Sequence, residues 1–362
     1  MSKVRSWVGL DAHAHRTQAS VLDQETGELR RRRLEGPPAV ALEFLIGLVA
    51  PVRAVYEAGP TGYGLARLAA AAGIDVRVCA PGLIPRKPTD RVKTDPRDAD
   101  RLARLLAAGE LGLVRVPSLE EEQLRDLVRA REDLRQDLMR ARHRLSKFCL
   151  RRELRYPEPG GAWSVPHMRW LERLEFDDAP SRAVHADYLA AVQALLQRRT
   201  ALDAALAHEA GEGPFAAPIA RLRAFRGIDT LSAAGLVAEI GDFARFQKAT
   251  QVGDYLGLVP SQHTSDTKRR QGSITKAGPP GARRLLVEAA WHYRHRPAVG
   301  ALLSRRQRGV DPRVCQVAWR AQRRLYQRWM RLGAERGKPG GKVAVACARE
   351  LSCFLWEAAM ID

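Results

Sequence analysis

Four acidic residues in the first hundred positions have side chains suited to phosphoryl transfer. Asp11 ends the apolar run SWVGLD, Glu57 ends RAVYE, and Asp95 and Asp98 sit together in KTDPRDADRLARLL. Divalent cations such as Mg²⁺ take hard oxygen ligands, and carboxylates supply them while balancing the charge. Three separated acidic positions, on two strands and a helix, are what a two-metal phosphoryl-transfer centre requires. The i,i+3 spacing of Asp95 and Asp98 lets both carboxylates face one way on a helix, and Pro96 fits that helix's first turn. Taken by themselves, the two also read as an N-cap at Asp95 and a salt-bridge partner of Arg101 at Asp98. His13 and His15 follow Asp11 on alternate positions. His13 reads either as a ligand or phosphate contact, or as a strand-end packing residue.

The chain around these acids is strongly basic, with a formal net charge of +19 over 362 residues. Residues 266–331 hold 17 Lys and Arg against three acids (Asp266, Glu288 and Asp311), a surplus of 14. Such an imbalance repels itself unless a polyanion neutralises it, which favours a nucleic-acid surface over a set of solvated helix faces. An acidic pocket in a basic protein implies chemistry on a polyanion. Candidate phosphate contacts in this region are Lys268, Arg269, Arg270, Lys276, Arg283 and Arg284. Trp291, Tyr293, Trp319, Tyr326 and Trp329 are interleaved with the charge. They are candidates for stacking on bases, although aromatic residues at helical spacing are more often core. Ahead of Asp95, the loop LIPRKPTDRVK places Arg86, Lys87, Arg91 and Lys93 between prolines. A rigid basic loop there would hold a phosphate backbone beside the carboxylates, unless it is a solvated connection. The arginine run at 30–33 is a weaker candidate.

Hydrophobic periodicity supplies the elements that position the acids. Residues 4–10, 17–22 and 28–34 read as strands and AVALEFLIGLV as a helix. AVYE follows as a strand, GPTGYGLARLAAAAG as a helix, IDVRVCA as a strand, and a further helix starts near Asp95. The order β-β-β-α-β-α-β is that of a ribonuclease-H or RuvC-like domain, spanning 1–115. In that order an Asp on the first strand, a carboxylate ending the fourth and an acid from a later helix meet at the sheet centre. Residues 119–153 lack Pro and Gly and keep leucines at near-helical spacing. They predict a helix of roughly 50 Å. With 180–210 they make a long helical, coiled-coil-like hairpin in region 116–212, a spacer or a dimerisation arm. Region 213–362 reads as mainly helical, with a helix-hairpin-helix-like element in RGIDTLSAAGLVAEIG whose Gly turns would present N–H groups to phosphates. YLGLVPSQHTSDTKRRQGSITKAG reads as a basic loop. The fold class is thus α/β plus α. The five cysteines lack CxxC spacing, which excludes a structural zinc site and a disulfide framework. No run approaches a membrane span and the first residues carry no signal pattern, so a cytoplasmic, nucleoid-associated protein is expected.

Two segments resemble a known family. YEAGPTGYGLARLAAAAGIDVRVCAPGLIPRKPTDRVKTDPRDADRLARLL is similar to the amino-terminal DEDD domain of the insertion-sequence one-ten family of transposases. FRGIDTLSAAGLVAEIGDFARFQKATQVGDYLGLVPSQHTSDTKRRQGSITKAGPPGARRLLVEAAW is similar to its carboxy-terminal domain. The resemblance implies a recombinase in which Asp11, Glu57, Asp95 and Asp98 bind Mg²⁺, or Mn²⁺ in its place, beside a serine from the second domain. That serine attacks a DNA phosphate and becomes joined to it. The family's Ser-Gly-Gly-Lys-type turn matches HTSDTKRRQGSITKAG, which assigns the nucleophile to Ser265, with Ser261 and Ser273 as alternatives and Thr264 a poorer one. Asp266 and Thr267 stand where glycines are usual, and Ala14 and His15 follow His13 where the family places a lysine after its histidine. The resemblance also implies double-stranded DNA and a structured non-coding guide RNA as partners, and assembly into dimers and synaptic tetramers. The competing readings are a junction-type endonuclease with the same acids and water as nucleophile, and a non-catalytic nucleic-acid scaffold.

Overall fold

A computed structural model describes residues 4–85, 95–158, 160–265 and 268–361, with the side chains of 263–265 and 268–270 outside that description. The chain divides into two compact units, residues 1–118 and 119–362. The first contains strands β1 (Ser6–Ala12), β2 (Arg16–Asp23) and β3 (Leu29–Glu35), helix α1 (Pro38–Ile46), β4 (Val52–Glu57), α2 (Gly64–Ala71), β5 (Asp75–Cys79), α3 (Asp95–Ala108) and β6 (Leu113–Val114). They form one six-stranded sheet in the order β3-β2-β1-β4-β5-β6. β1 pairs antiparallel with β2 and parallel with β4, and β4 is parallel to β5. The alternation in β1 explains the layers. Val8 and Leu10 are fully buried on the face shared with Ala54, Tyr56, Leu45 and Leu65, where α1 and α2 pack. The opposite face carries Trp7, Val55 and Cys79 and receives Leu102 and Leu106 of α3.

Helix α3 fits because its apolar residues Ala99, Leu102, Ala103 and Leu106 recur at i, i+3, i+4 and i+7 and are all buried. Burying each leucine contributes about 1.5–3 kcal/mol. Close approach to β1 depends on Gly9. A Cβ there would fall 2.5 Å from the Ala103 nitrogen and 2.9 Å from the Leu102 Cβ, and nearer still to the Ala99 carbonyl oxygen.

The second unit contains α4 (Leu119–Leu150), α5 (Val165–Glu172), α6 (Ala179–Glu212), α7 (Ala216–Arg223), α8 (Thr230–Ile240), α9 (Ala249–Tyr255), the strands β7 (Pro260–Ser265) and β8 (Lys268–Ile274), α10 (Pro280–Ala290), α11 (Ala301–Gln307), α12 (Pro312–Trp329) and α13 (Gly340–Ala359). The long helices α4 and α6 run antiparallel. Leu138, Leu145 and Phe148 of α4 meet Val192 near the start of α6, while Leu124 meets Leu206 and Ala210 near its end. The Pro/Gly stretch between them also contains α5, which sequence periodicity did not reveal. Ser164 caps it by accepting from the His167 N–H. The rest packs around Phe225, Leu236, Leu286, Leu325 and Leu351. Between α7 and α8 the chain turns through Gly227, whose φ of +79° and approach to the Ala289 carbonyl exclude a side chain. The stretch read as a loop from Tyr255 onward is instead a hairpin, with β7 and β8 antiparallel. All five cysteines are free, and among the described residues no helix is long and apolar enough to cross a membrane.

Candidate metal centre

The acids are brought together by sheet register and by α3. Leu10 pairs with Tyr56 in parallel register, so Asp11 and Glu57 follow side by side at the carboxyl ends of adjacent strands. Alternation puts both on the face where Gly9 and Val55 receive α3. The first turn of that helix carries Asp95 and Asp98. Asp11, His13 and Asp95 each offer a ligand atom within 4.8 Å of the others. Among the described residues, Glu57 and Asp98 stand outside that close group. Asp98 is nevertheless near enough for its charge to act on Asp11.

The electrostatics fit a cation site. Burial, the largest influence, pushes the Asp11 carboxyl above its usual value; His13 opposes the shift, and Asp95 and Asp98 add to it. His13 Nε2 lies 3.4 Å from Asp11 and 3.9 Å from Asp95. Arg16 Nη2 donates to Asp95 Oδ2 at 2.9 Å. Asp98 lies 3.7 Å from Arg101, which is the helical ion pair expected from i,i+3 spacing. The donor set of clustered carboxylates with one imidazole suits a hard divalent cation. Asp100, two residues beyond Asp98, is excluded from the cluster. It accepts from Ser20 Oγ and takes both Nε and Nη2 of Arg31.

Arg16 went unnoticed in the sequence, and its role follows from the hairpin joining β1 to β2. The His13 N–H donates to the Arg16 carbonyl at 2.9 Å, which folds Arg16 back toward Asp11. Only a tight turn of known register would have predicted it.

The other candidate residues are dispersed. Ser265 ends β7 opposite Lys268, next to the tip of the hairpin. Ser261 Oγ packs close to Gly272, and Ser273 is exposed on β8. The backbones of Lys268, Arg269 and Arg270 form the first half of β8, and Lys276 is exposed with φ of +57°. Arg86, Lys87, Arg91 and Lys93 lie outside the described residues. Arg283 Nη1 donates to the Leu256 and Ala277 carbonyls at 2.9 and 2.8 Å. Arg284 bridges Glu288 and Glu132, each at 2.9 Å. Both arginines therefore also brace the fold. Tyr293 is fully buried and belongs to the core, whereas Trp291, whose ring packs on Trp329 with centroids 5.2 Å apart, and Trp319 are exposed.

Comparison with known proteins matches the same two regions. Residues 8–152 match the DEDD transposase model of the IS110 type, and residues 219–303 match the transposases of the IS116/IS110/IS902 family. A putative transposase, y4qE, of Sinorhizobium fredii is 43% identical over 83% of this chain and 73% of its own. The transposase for insertion sequence element IS1533 of Leptospira borgpetersenii is 32% identical over 93% of this chain and 99% of its own. A probable family 20 transposase of Pseudomonas aeruginosa is 29% identical over 97% and 96%. A DEDD domain of this kind implies dependence on a divalent metal, and among the described residues the acidic cluster on β1 and α3 could hold one. With that cluster inside the matched DEDD region and relatives similar along nearly the whole length, the chain belongs to the IS110/IS116 family of transposases, enzymes that cleave and recombine DNA.

Proposed function

We propose that this transposase moves its insertion sequence by RNA-guided cleavage and exchange of DNA strands through a covalent serine–phosphate intermediate. The observation that carries the reading is the convergence of Asp11 and Asp95, with His13, at the open ends of parallel strands. Asp11, Glu57, Asp95 and Asp98 would hold Mg²⁺ in a ribonuclease-H-like frame. When bound, the ion supplies Lewis acidity at the scissile phosphate and neutralises developing charge. Arg16 and His13 keep the carboxylates gathered, and Gly9 fixes the seat of α3. Ser265 Oγ forms a bond to phosphorus as one DNA oxygen–phosphorus bond breaks, and the departing strand keeps its oxygen as a hydroxyl. Serine is a weak nucleophile at its own pKa and needs activation. The phosphoserine link conserves the energy of the broken bond, so a second strand's hydroxyl can reverse the step and reseal the DNA without ATP. The position of Ser265 beside a hairpin tip supports its presentation to a substrate. Guidance by a non-coding RNA and assembly into dimers and tetramers rest on the family resemblance and on the basic charge of the chain.

A trapping assay tests this. Protein, Mg²⁺, the flanking RNA and labelled junction DNA are run on a denaturing gel beside Ser265→Ala and Asp11→Asn. A protein-linked band lost in both variants is the expected result. Cleavage without such a band, unaffected by Ser265→Ala, would replace the serine with water and make the enzyme an endonuclease of the junction-resolving kind.

A further inference from the structure

The antiparallel arms contain a cleft that the charge of the chain as a whole does not reveal. It has a volume of about 400 Å³ and lies between α4 and α6 beside Trp163. Its polar walls are Arg131, Arg135, Arg142, His143 and Arg199, and no acid lines it. Two of these arginines are neutralised from outside, Arg131 by Asp203 and Arg135 by Glu132. Arg142 and Arg199 have no carboxylate partner among the described residues. The Arg142 guanidinium instead sits 5.0 Å from the Trp163 ring centroid, and its Nε is buried without an acceptor.

Two observations show that this arrangement is built. Trp163 is held in the left-handed region at φ of +68°, which costs a non-glycine residue of order 1 kcal/mol or more. Its N–H donates to His167 Nδ1 at 3.2 Å, which fixes the turn that aims the indole at Arg142. Arg142 and Arg199 are also close enough to act on each other. Burial, and then the charge of Arg199, hold the Arg142 guanidinium below its usual value. Two like charges gathered beside Leu138 repel each other in the free protein. An anion between them removes that cost, and a planar base can lie against an aromatic ring already polarised by a cation.

We infer that this cleft binds the phosphodiester backbone of an unpaired nucleic-acid strand, with phosphate held by Arg142 and Arg199 and the Trp163 ring beside an adjoining base. A flexible chain of phosphates fits better than duplex because the cleft lies between helices and is too small for more than a single nucleotide unit. The arms then serve as a nucleic-acid contact as well as a spacer. The inference rests on the nucleic-acid binding of the proposed function, but not on Ser265 or the metal.

The test is fluorescence anisotropy of the full-length protein with a short labelled single strand, as DNA and as RNA of the same sequence, over a range of salt. Arg142→Gln with Arg199→Gln is compared with Arg144→Gln with Arg198→Gln, an exposed pair on the same two helices. At about 0.7 per single-strand phosphate contact, loss of the phosphate shared by Arg142 and Arg199 should lower the salt slope by about 0.7, and the exposed pair should change it by clearly less. Arg199→Gln alone, which removes no packing contact described above, should account for about half of the change and guards against misfolding of the double variant. Loss with DNA, RNA or both supports the cleft and identifies the strand it takes. Equal slopes for the two pairs, with strong wild-type binding, overturn the cleft and leave the catalytic reading intact. Absence of any wild-type binding to either strand also overturns the cleft, and the catalytic reading is decided separately by the trapping assay.

Discussion

Replacing Gly9 with Ala tests whether the acid cluster depends on the seat of α3. The new Cβ would lie 2.5 Å from the Ala103 nitrogen and 2.9 Å from the Leu102 Cβ. Ordinary carbon contacts begin near 3.5 Å, so α3 must withdraw by about 1 Å. The first turn of α3 carries Asp95 and Asp98, whereas Asp11 stays on β1 two residues from the substitution. Overpacking of this kind costs about 1–3 kcal/mol, which lowers the melting temperature without abolishing the fold. Displacing a catalytic group by about 1 Å costs about 100-fold in rate. Two measurements separate these effects. The first is the rise in melting temperature on adding Mg²⁺, which reports metal binding by the folded state. The second is the rate of junction-DNA cleavage under single-turnover conditions. Gly9→Ala should melt lower, lose most of its stabilisation by Mg²⁺ and cleave about 100-fold more slowly. If it melts lower yet keeps the full response to metal and cleaves within about twofold of wild type, α3 does not position the metal ligands and the site must be rebuilt.

Other substitutions probe separate links. Asp11→Asn should abolish cleavage while raising the metal-free melting temperature, because it removes a half-buried carboxylate flanked by Asp95 and Asp98; equal or lower stability by differential scanning calorimetry would contradict this. Glu132 is held below the usual carboxylate range, first by hydrogen bonding from Arg135, with Arg284 also lowering it. A depressed carboxylate stabilises the fold above its unfolded pKa, and that contribution is lost as the pH falls through the folded value. Glu132→Gln should therefore lower stability by less than about 1 kcal/mol at neutral pH, with the difference from wild type vanishing in acid; a pH series of denaturant melts reads both. At the base of the hairpin, Gly278 has φ of +67° and abuts the Tyr255 carbonyl. Gly278→Ala should cost about 2–4 kcal/mol from backbone strain and overpacking together, and a loss below about 1 kcal/mol by urea unfolding would refute the account.

The sheet was legible because its strands differ in how they are buried. β1 and β4 are nearly continuous apolar runs, as buried central strands must be, and β3 is an arginine-rich edge. The positions of Asp11 and Glu57 could be read for the same reason: each follows the last buried residue of a central strand. β6 escaped notice because two residues have no periodicity, and only the pairing of Val78 and Cys79 with Val114 and Leu113 defines it. The β7–β8 hairpin read as loop because SQHTS and KRRQGSI lack apolar alternation, so cross-strand backbone bonds form it instead of burial. Net charge was a poor guide to free charge. The basic helix α10 carries Arg283 and Arg284, yet the first binds carbonyls and the second binds two glutamates. The arms are rich in acids as well as arginines and read only as a spacer or dimerisation arm, although Arg142 and Arg199 have no carboxylate partner among the described residues.

The acidic cluster and the basic chain answer one electrostatic problem. Asp11, Asp95 and Asp98 repel one another, and the rise of the Asp11 pKa under burial records part of that cost. In the protein alone, His13 and Arg16 reduce it, Arg16 by a charge-assisted hydrogen bond of 2.9 Å to Asp95. A divalent cation reduces it further because two charges act on every carboxylate at once. Arg16 and a metal would therefore compete for Asp95 where they need the same oxygen. Arg31 does for Asp100 what no metal is needed to do, and it removes that acid from the site. The division between Asp98 and Asp100 thus depends on which helix face each occupies. Asp100, on the β2–β3 side, is neutralised by Arg31, whereas Asp95 and Asp98, paired with Arg16 and Arg101, keep their charges close enough to act on Asp11.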